Sequence, residues 1–203
     1  MTATEPPKRR GRPPSGGREA ILAATLELLR ERGIANLTTR EVAARAGVSD
    51  ASVYYHFGDR AGLLQAVFEA GMRPLEYLSA LPDDQHDRLE VLTGAVTALD
   101  SFFGEVLPVM FAAQSDPELR RALAAHIRDR GLGPHRGVQA LGGYLRREQT
   151  AGRVRPDADV DAISLMLIDS CFGRAMRKQM LPEAEAKLPT LERIVETVNR
   201  LLG

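Results

Sequence analysis

The order of apolar and polar side chains along this sequence predicts helices throughout. Between Arg18 and Arg32, leucine and isoleucine recur at helical spacing and leave one apolar stripe, and Gly33 follows as the residue that ends the helix. No stretch of useful length alternates between apolar and polar residues, which is the pattern of a half-buried strand. The pattern therefore predicts an all-α chain with about nine or ten helices.

The segment from Thr38 to Asp59 contains the start and stop signals of short helices. Thr38 with Glu41 forms a capping box that opens one helix. Gly47 permits a tight turn, Ser49 can cap the next helix, and Asp59 can cap a fourth. A helix, a glycine turn and a short capped helix form the helix-turn-helix pattern, whose second helix can enter the major groove of DNA.

Loop signals divide the rest of the chain into further helices. Breaks are predicted at Pro82-Asp83-Asp84, Ser115-Asp116-Pro117, Gly131-Leu132-Gly133-Pro134, residues 152–156 and Pro182. We expect a disordered basic tail at residues 1–16, a helix-turn-helix head at residues 17–62, and a larger helical body at residues 63–203. The fourth helix would bridge head and body.

The charges are balanced overall but not along the chain. The 203 residues carry 27 basic and 27 acidic side chains, whereas residues 1–18 carry five basic side chains against one acidic, Glu5. A basic end on a neutral body indicates a polyanionic partner. A solvated tail without a partner is the alternative.

Composition argues against several other classes of protein. The single cysteine, Cys171, rules out a disulfide framework and a cysteine-rich zinc site, and it reads as a small buried hydrophobic residue. The four histidines are scattered, and the sequence shows neither a paired nucleophile and base nor a phosphate-binding loop. We therefore expect that the protein is not an enzyme and that it binds no metal or cofactor. We find no signal peptide and no apolar run of membrane-spanning length, and we expect a soluble cytoplasmic protein.

Aromatic side chains are concentrated in one short stretch of the head. Of six Phe and four Tyr residues, three lie within the four positions Tyr54-Tyr55-His56-Phe57. Such a run must point in every direction around a helix. Val53 and Phe57, four residues apart, would face the core, and the remaining side chains could then face DNA.

The segment LTTREVAARAGVSDASVYYHFGDRAGLL strongly resembles the DNA-binding segment of the TetR family of bacterial transcriptional regulators. The resemblance covers about residues 18–70 and is carried by Thr39, Ala43, Gly47, Val48, Ser49, Tyr54, Phe57, Leu63 and Leu64. It implies a set of DNA contacts: Thr39, Ser49, Asp50, Ala51, Ser52, Tyr54, Tyr55, His56 and Arg60.

The resemblance also implies a role for each position. Thr39, Tyr55 and His56 would meet the DNA backbone, and the start of the short helix with Tyr54 would face the groove. Arg60 stands where the family usually has Lys, and it can still neutralise a phosphate with its planar fork. Asp50 could read a cytosine or merely compensate the helix N-terminus, and His56 could instead be a core-edge histidine.

The basic tail contains Arg10-Gly11-Arg12-Pro13, which resembles the core of an AT-hook. A narrow A·T-rich minor groove concentrates negative potential and attracts Arg10 and Arg12, while the glycine allows close approach. Generic attraction to phosphates is the alternative.

In the body, the resemblance implies a small-molecule site and a dimer interface. The stretch ALDSFFGEVLPVMFAAQ is rich in large apolar side chains, which suit either a ligand pocket or an ordinary core. The pocket residues predicted from it and its surroundings are Phe102, Phe103, Met110, Phe111, Gln114 and His126.

A second apolar stretch, DVDAISLMLIDSCFGRAM, is apolar on nearly all faces and must be covered on all sides. With the helix before it, we expect it to form a symmetric four-helix interface. The predicted interface residues are Val138, Leu141, Leu145, Ile163, Leu167 and Cys171. Asp169 inside this run needs a partner or a ligand cation, and pairing with Arg174 or Arg177 is the favoured interpretation.

These expectations together describe a homodimeric repressor that a small-molecule effector releases from a palindromic DNA operator. The alternative is a DNA-binding regulator without a small-molecule ligand, controlled by a protein partner or by its abundance.

Overall fold

The computed structural model describes residues 17–33, 37–81, 87–181, 183 and 187–203, and across these ranges the chain is all-helical with no strand. This confirms the predicted all-α class. The helices are α1 (Gly17–Arg32), α2 (Thr39–Ala46), α3 (Asp50–Phe57), α4 (Arg60–Gly71), α5 (Glu76–Ser79), α6 (Arg88–Gln114), α7 (Pro117–Asp129), α8 (Pro134–Thr150), α9 (Val160–Met180) and α10 (Leu191–Leu202), with a 3₁₀ turn at Arg73–Leu75.

The predicted helix signals in the head are confirmed. The backbone N–H of Glu41 donates to Thr38 Oγ1 at 3.2 Å, and the Thr38 N–H donates to the Glu41 carboxylate at 3.3 Å, which completes the capping box. Gly47 ends α2 with φ +68°, a left-handed conformation that costs little for glycine. Asp59 caps α4 by accepting the Gly62 N–H at 2.8 Å.

Three of the five predicted breaks separate helices in the body. Residues 115–116 lie between α6 and α7, residues 131–133 between α7 and α8, and residues 152–156 between α8 and α9; Pro117 and Pro134 are the first residues of α7 and α8. The other two, at residues 82–84 and at Pro182, lie outside the described residues.

One hydrophobic core runs from the head into the body. It begins with Ile21 and Leu28 of α1, includes Val53 of α3, and continues through α4 to Val106 and Val109 of α6. All five side chains are almost fully buried. The predicted boundary between residues 62 and 63 therefore falls within a continuous apolar core.

A second core fills the far end of the body. It is formed by α5, the first half of α6, α8, α9 and α10. At its edge the buried carboxylate of Glu148 accepts two hydrogen bonds from the Arg153 guanidinium, at 2.8 and 2.6 Å, which holds the pKa of Glu148 below its usual range. This pair fastens the end of α8 to the loop that follows.

Helix α6 is the central element, and it contains a proline that does not break it. Pro108 has no N–H to donate to the carbonyl of Gly104, four residues earlier. That carbonyl instead accepts a hydrogen bond from the Arg30 guanidinium of α1, at 2.9 Å. The head thus supplies the donor that the proline removes.

Helix α6 is also long and apolar enough to cross a membrane by length and composition, which corrects the expectation that no such run exists. Here it packs against α1, α4, α7, α9 and α10. Its apolar side chains belong to both cores of the protein.

Candidate functional site

Helix α3 divides its side chains between the core and solvent. Val53 is buried, and Phe57, one turn later, packs against the same core while remaining partly exposed. Tyr54 and Tyr55 are on the outer side, with 51% and 82% of their surface exposed. The two tyrosines therefore offer both ring and hydroxyl to a partner.

Thr39 and Tyr54 connect the start of α2 to the exposed side of α3. The Thr39 hydroxyl donates to the Tyr54 hydroxyl oxygen at 3.4 Å. The Tyr54 O–H then remains able to donate outward, for example to a phosphate oxygen. Two residues predicted to contact DNA from different helices are thus brought side by side.

The other predicted contacts of α3 lie in or just before its first turn. Ser49 caps the helix, with Oγ accepting the Ser52 N–H at 3.2 Å. Asp50 and Ala51 are exposed, and Ser52 is half-buried. Asp50 stands where the N–H groups of the helix terminus favour a negative charge, and its carboxylate is also accessible to a base. Both interpretations of Asp50 stay predictions.

His56 and Arg60 occupy the end of α3 and the start of α4, and both are half-buried. The His56 ring meets the edge of Tyr55, with 5.2 Å between ring centroids. The Arg18 guanidinium lies over the Phe57 ring, 5.5 Å from its centroid. This cation–π contact braces α1 against α3, and it could not be predicted from the sequence, in which Arg18 is only one of several basic residues near the N-terminus.

Helix α2 is held against α1 by an ion pair on the surface of the head. The Arg45 guanidinium donates two hydrogen bonds to the Glu31 carboxylate, at 2.9 and 2.8 Å. These bonds hold the pKa of Glu31 below its usual range. The pair positions α2, and with it Thr39, relative to the rest of the head.

The body contains an apolar cavity of about 310 Å³ between its two cores. Its walls come from α4, the 3₁₀ turn, α6, the end of α7, the start of α8 and α9. The lining residues are Phe68, Met72, Leu75, Leu99, Phe102, Phe103, Val106, Met110, Ile127, Leu132, Gly133, Gly137, Ile168, Asp169 and Phe172. The volume is at the lower end of the range for small-molecule sites.

Half of the predicted pocket set lines this cavity, and half does not. Phe102, Phe103 and Met110 are in its wall, at helical spacing along one face of α6. Phe111 follows Met110 by one residue, so it faces a different cleft, between α6 and the end of α1. Gln114 is exposed. The spacing 99, 102, 103, 106 and 110 is visible in the sequence and could have identified the α6 wall.

His126 is likewise not in the cavity wall; it bridges α4 and α7 beside it. Its Nδ1 lies 3.0 Å from the Gln65 side-chain nitrogen, and its Nε2 lies 3.3 Å from the Glu69 carboxylate. Arg130 reaches the same Glu69 oxygen at 3.3 Å. The ring of His126 also meets Phe68, a cavity residue, edge to face. His126 therefore contacts the back of the cavity wall.

Four of the six residues predicted for the dimer interface lie inside the single chain, and the interface itself stays a prediction. Leu141, Leu145, Leu167 and Cys171 are fully buried in the core of the single chain, so their side chains have no surface to offer a second copy. Val138 and Ile163 are partly buried against the same core. The apolar stripe that α9 leaves exposed contains Leu165, Met166 and Phe172, at 45%, 64% and 39% exposure.

Within the single chain, Asp169 does not pair with Arg174 or Arg177, and its pairing at a subunit interface stays a prediction. Arg174 faces Asp100, with 3.9 Å between their charged atoms. Asp169 is exposed, lines the cavity, and forms no hydrogen bond or ion pair with any residue in the described ranges. Arg10 and Arg12 of the tail lie outside the described residues.

Comparison with known sequences gives one consistent family. The family model described as "Bacterial regulatory proteins, tetR family" matches residues 21–67, which span α1 to α4. The chain is 30% identical over 174 residues to the tetracycline repressor protein class C of Escherichia coli, a match that covers 84% of this chain and 69% of that protein.

Solved structures extend the similarity to the whole fold. A TetR transcription regulator from Haloarcula marismortui superposes with a TM-score of 0.66 at 21% identity, covering 93% of this chain and 98% of that one. The regulator FadR from Bacillus subtilis, in complex with stearoyl-CoA, superposes with a TM-score of 0.60 at 18% identity, covering 90% and 96%. At these identities the likeness concerns the fold.

Proposed function

The chain belongs to the TetR family of bacterial transcriptional regulators, and from this membership we propose that it is a homodimeric repressor, which a small-molecule effector releases from a palindromic DNA operator. The head would read the operator, and the body would hold the effector and the second subunit.

The observation that carries the DNA-binding part is the exposed hydroxyl pair on α2 and α3. Thr39 and Tyr54 lie within hydrogen-bond distance of each other, and Tyr55 extends the same surface. Neutral hydroxyls beside a helix that can enter the major groove suit contacts to phosphates and base edges. The basic tail, with Arg10 and Arg12, would add charge-driven affinity.

Dimerisation is supported by the apolar stripe on α9. Leu165, Met166 and Phe172 recur at helical spacing on the outer side of the helix and are exposed in the single chain. A second copy related by twofold symmetry would cover this stripe with its own. Two heads held in this way would bind two half-sites of a near-palindromic operator.

Effector control is supported by the place of the cavity beside α4. Phe68 of α4 and Met72, the residue directly after this helix, line the cavity, and Arg60 begins α4 about 12 Å from Phe68 along the helix axis. An effector that fits one dimer geometry better than the other would shift α4 and the separation of the heads. The regulator FadR from Bacillus subtilis, which is similar in fold, forms a complex with the small molecule stearoyl-CoA.

The alternative, a regulator without a small-molecule ligand, predicts a well-filled body. The body instead contains an apolar pocket of about 310 Å³, which is large enough for a small ligand. The cavity therefore favours the ligand-controlled version.

The proposal is tested by recovering an operator and asking whether Tyr54 contacts it. The full-length protein would select binding sites from a random DNA library and from the DNA upstream of its own gene. For the recovered site, we expect Tyr54→Phe to weaken binding by roughly tenfold, because one hydrogen bond to the DNA is lost.

Tyr77→Phe is the matched control, because Tyr77 also exposes its ring but lies in α5 of the body. It should bind the operator as the wild type does. Equal affinity of Tyr54→Phe and wild type would remove Tyr54 from the contact surface. Failure to recover any preferred sequence would contradict the DNA-binding proposal itself.

A further inference from the structure

The outer face of α3 carries a single charged side chain. Exposed residues recur at Asp50, Ala51, Tyr54 and Tyr55, so they form one strip along the helix, while Val53 is buried in the core. Of these four, Asp50 is the charged one. The strip belongs to the head, where α3 packs against α1, α2 and α4, so its exposure does not depend on what covers the apolar stripe of α9.

The fold does not use the Asp50 carboxylate to close the end of α3. Ser49 is the N-cap, and its Oγ accepts the Ser52 N–H at 3.2 Å. Asp50 stands one residue further into the helix, and its side chain forms no hydrogen bond or ion pair with any residue of the described ranges. The aspartates that do close helix ends in this chain stand at the N-cap itself and accept a backbone N–H: Asp59, Asp87, Asp116 and Asp159.

A carboxylate on a surface that meets DNA has few groups that it can contact favourably. Phosphate oxygens repel it, and so do the acceptors that guanine and thymine present in the major groove. The donors in that groove are the amino groups of cytosine and adenine. Adenine carries the acceptor N7 beside its amino group, whereas cytosine presents the donor alone, so cytosine is the base that suits a carboxylate.

Resting on the proposed function, we propose that Asp50 determines part of the operator sequence, and that each half-site presents a cytosine whose amino group donates to the Asp50 carboxylate. Tyr54 lies one turn further along the same face, so a bond from its hydroxyl to the DNA would hold the start of α3 in register with the bases. Twofold symmetry repeats the contact, so the cytosine occurs at symmetric positions in the two half-sites.

The test compares the base preferences of the full-length wild type, Asp50→Asn and Asp50→Ala, each selecting sites from the same random DNA library. The wild type should recover a half-site with a cytosine at one position of α3 contact. Asp50→Asn should prefer adenine there, because an amide can bond both N6 and N7 of adenine. In Asp50→Ala the preference for cytosine should fall by roughly tenfold, with the other positions of the site unchanged.

Glu19→Gln is the matched control. Glu19 also places an exposed carboxylate in the first turn of a helix, but that helix is α1. Its removal should leave the base preference of the wild type intact, and any gain in affinity from the lost negative charge should be shared by all DNA sequences.

The contact itself is tested with N4-methylcytosine at the selected position. This base still pairs with guanine, but a methyl group replaces the amino hydrogen that faces the major groove. It should weaken binding of the wild type by roughly tenfold and binding of Asp50→Ala by less than about twofold, because the alanine variant has no contact to lose.

The inference would be overturned if Asp50→Asn and Asp50→Ala kept the base preference of the wild type. An equal effect of N4-methylcytosine on the wild type and on Asp50→Ala would also overturn it, because the carboxylate would then serve only to offset the positive end of α3. In either case a recovered operator would leave the DNA-binding proposal standing. A wild type that recovers no preferred sequence would contradict both.

Discussion

At the scale of single residues, position in the fold decides what a side chain can do chemically. Cys171 is a nucleophile by type, but it is fully buried in the second core with its Sγ 3.9 Å from the carbonyl of Val96. Burial, reinforced by the negative charge of Asp100, raises the pKa of the thiol from 9.0 to about 12. The folded protein therefore holds its one thiol in the neutral, unreactive form.

We predict that native protein at about pH 8 is not labelled by a thiolate-directed reagent such as iodoacetamide, whereas denatured protein is labelled at the rate of a free cysteine. Because the folded pKa lies above the unfolded one, stability from this group is complete below pH 9.0 and is lost as the pH rises toward about 12. Mass spectrometry after timed quenching measures the reaction. Fast labelling of folded protein would mean that Cys171 is accessible.

At the scale of helices, α1 and α6 depend on each other through the proline in α6. Arg30 donates to the Gly104 carbonyl that Pro108 leaves without a donor. The contact therefore completes α6 and at the same time fixes the position of the head against the body.

We predict that Arg30→Ala lowers the free energy of unfolding by about 1 kcal/mol, because a hydrogen bond from a charged donor is lost. Arg32→Ala is the control, since the ion pair of Arg32 with Glu41, at 3.8 Å, is exposed and should contribute little. Denaturant titration measures both. Pro108→Ala restores the backbone N–H, so in that background Arg30→Ala should lower the free energy of unfolding by less. An equal loss in both backgrounds would show that Arg30 does not compensate for the proline.

Helix boundaries could be predicted from the sequence, because their causes are local. The Thr38–Glu41 box and the Asp59 cap act within three residues, so the residue types suffice. The partner of an apolar face could not be predicted in the same way. The apolar stripe of Leu141 and Leu145 has the same sequence pattern whether it packs in the core of its own chain or against a second copy. Only the tertiary fold shows that it packs in the core.

The candidate sites follow the same division. The exposed side of α3 could be predicted because one face of so short a helix must enter the core, so Val53 and Phe57 together indicate that Tyr54 points outward. The cavity joins residues more than a hundred positions apart, such as Phe68 and Phe172. No local pattern links such residues.

At the scale of the whole molecule, the apolar stripe on α9 is the feature that a single chain leaves unexplained. Met166 is 64% exposed and is flanked by Leu165, while the outer face of the neighbouring α8 carries exposed polar residues such as Gln139 and Arg146. A large exposed apolar patch bordered by polar residues is typical of a protein interface.

We predict that Met166→Glu shifts the protein from dimer to monomer at micromolar concentration, because it places a charge at the centre of the apolar stripe. Operator affinity should fall with it. Leu201→Glu is the matched control, since Leu201 is 60% exposed on α10. Sedimentation velocity measures the assembly. A dimer that tolerates Met166→Glu would place the interface elsewhere, and a monomeric wild type would contradict the homodimer.

The core that runs from Ile21 through Val53 to Val109 has a consequence for how the protein can be taken apart. A head cut off after residue 62 would expose the apolar side chains that Leu63 and Leu64 of α4 cover. We expect that such a fragment would not fold cooperatively on its own. We therefore expect head and body to unfold in one transition. An engineer who wishes to graft a different DNA specificity onto this body should transplant α4 together with α1 to α3, or exchange only the exposed side chains of α3.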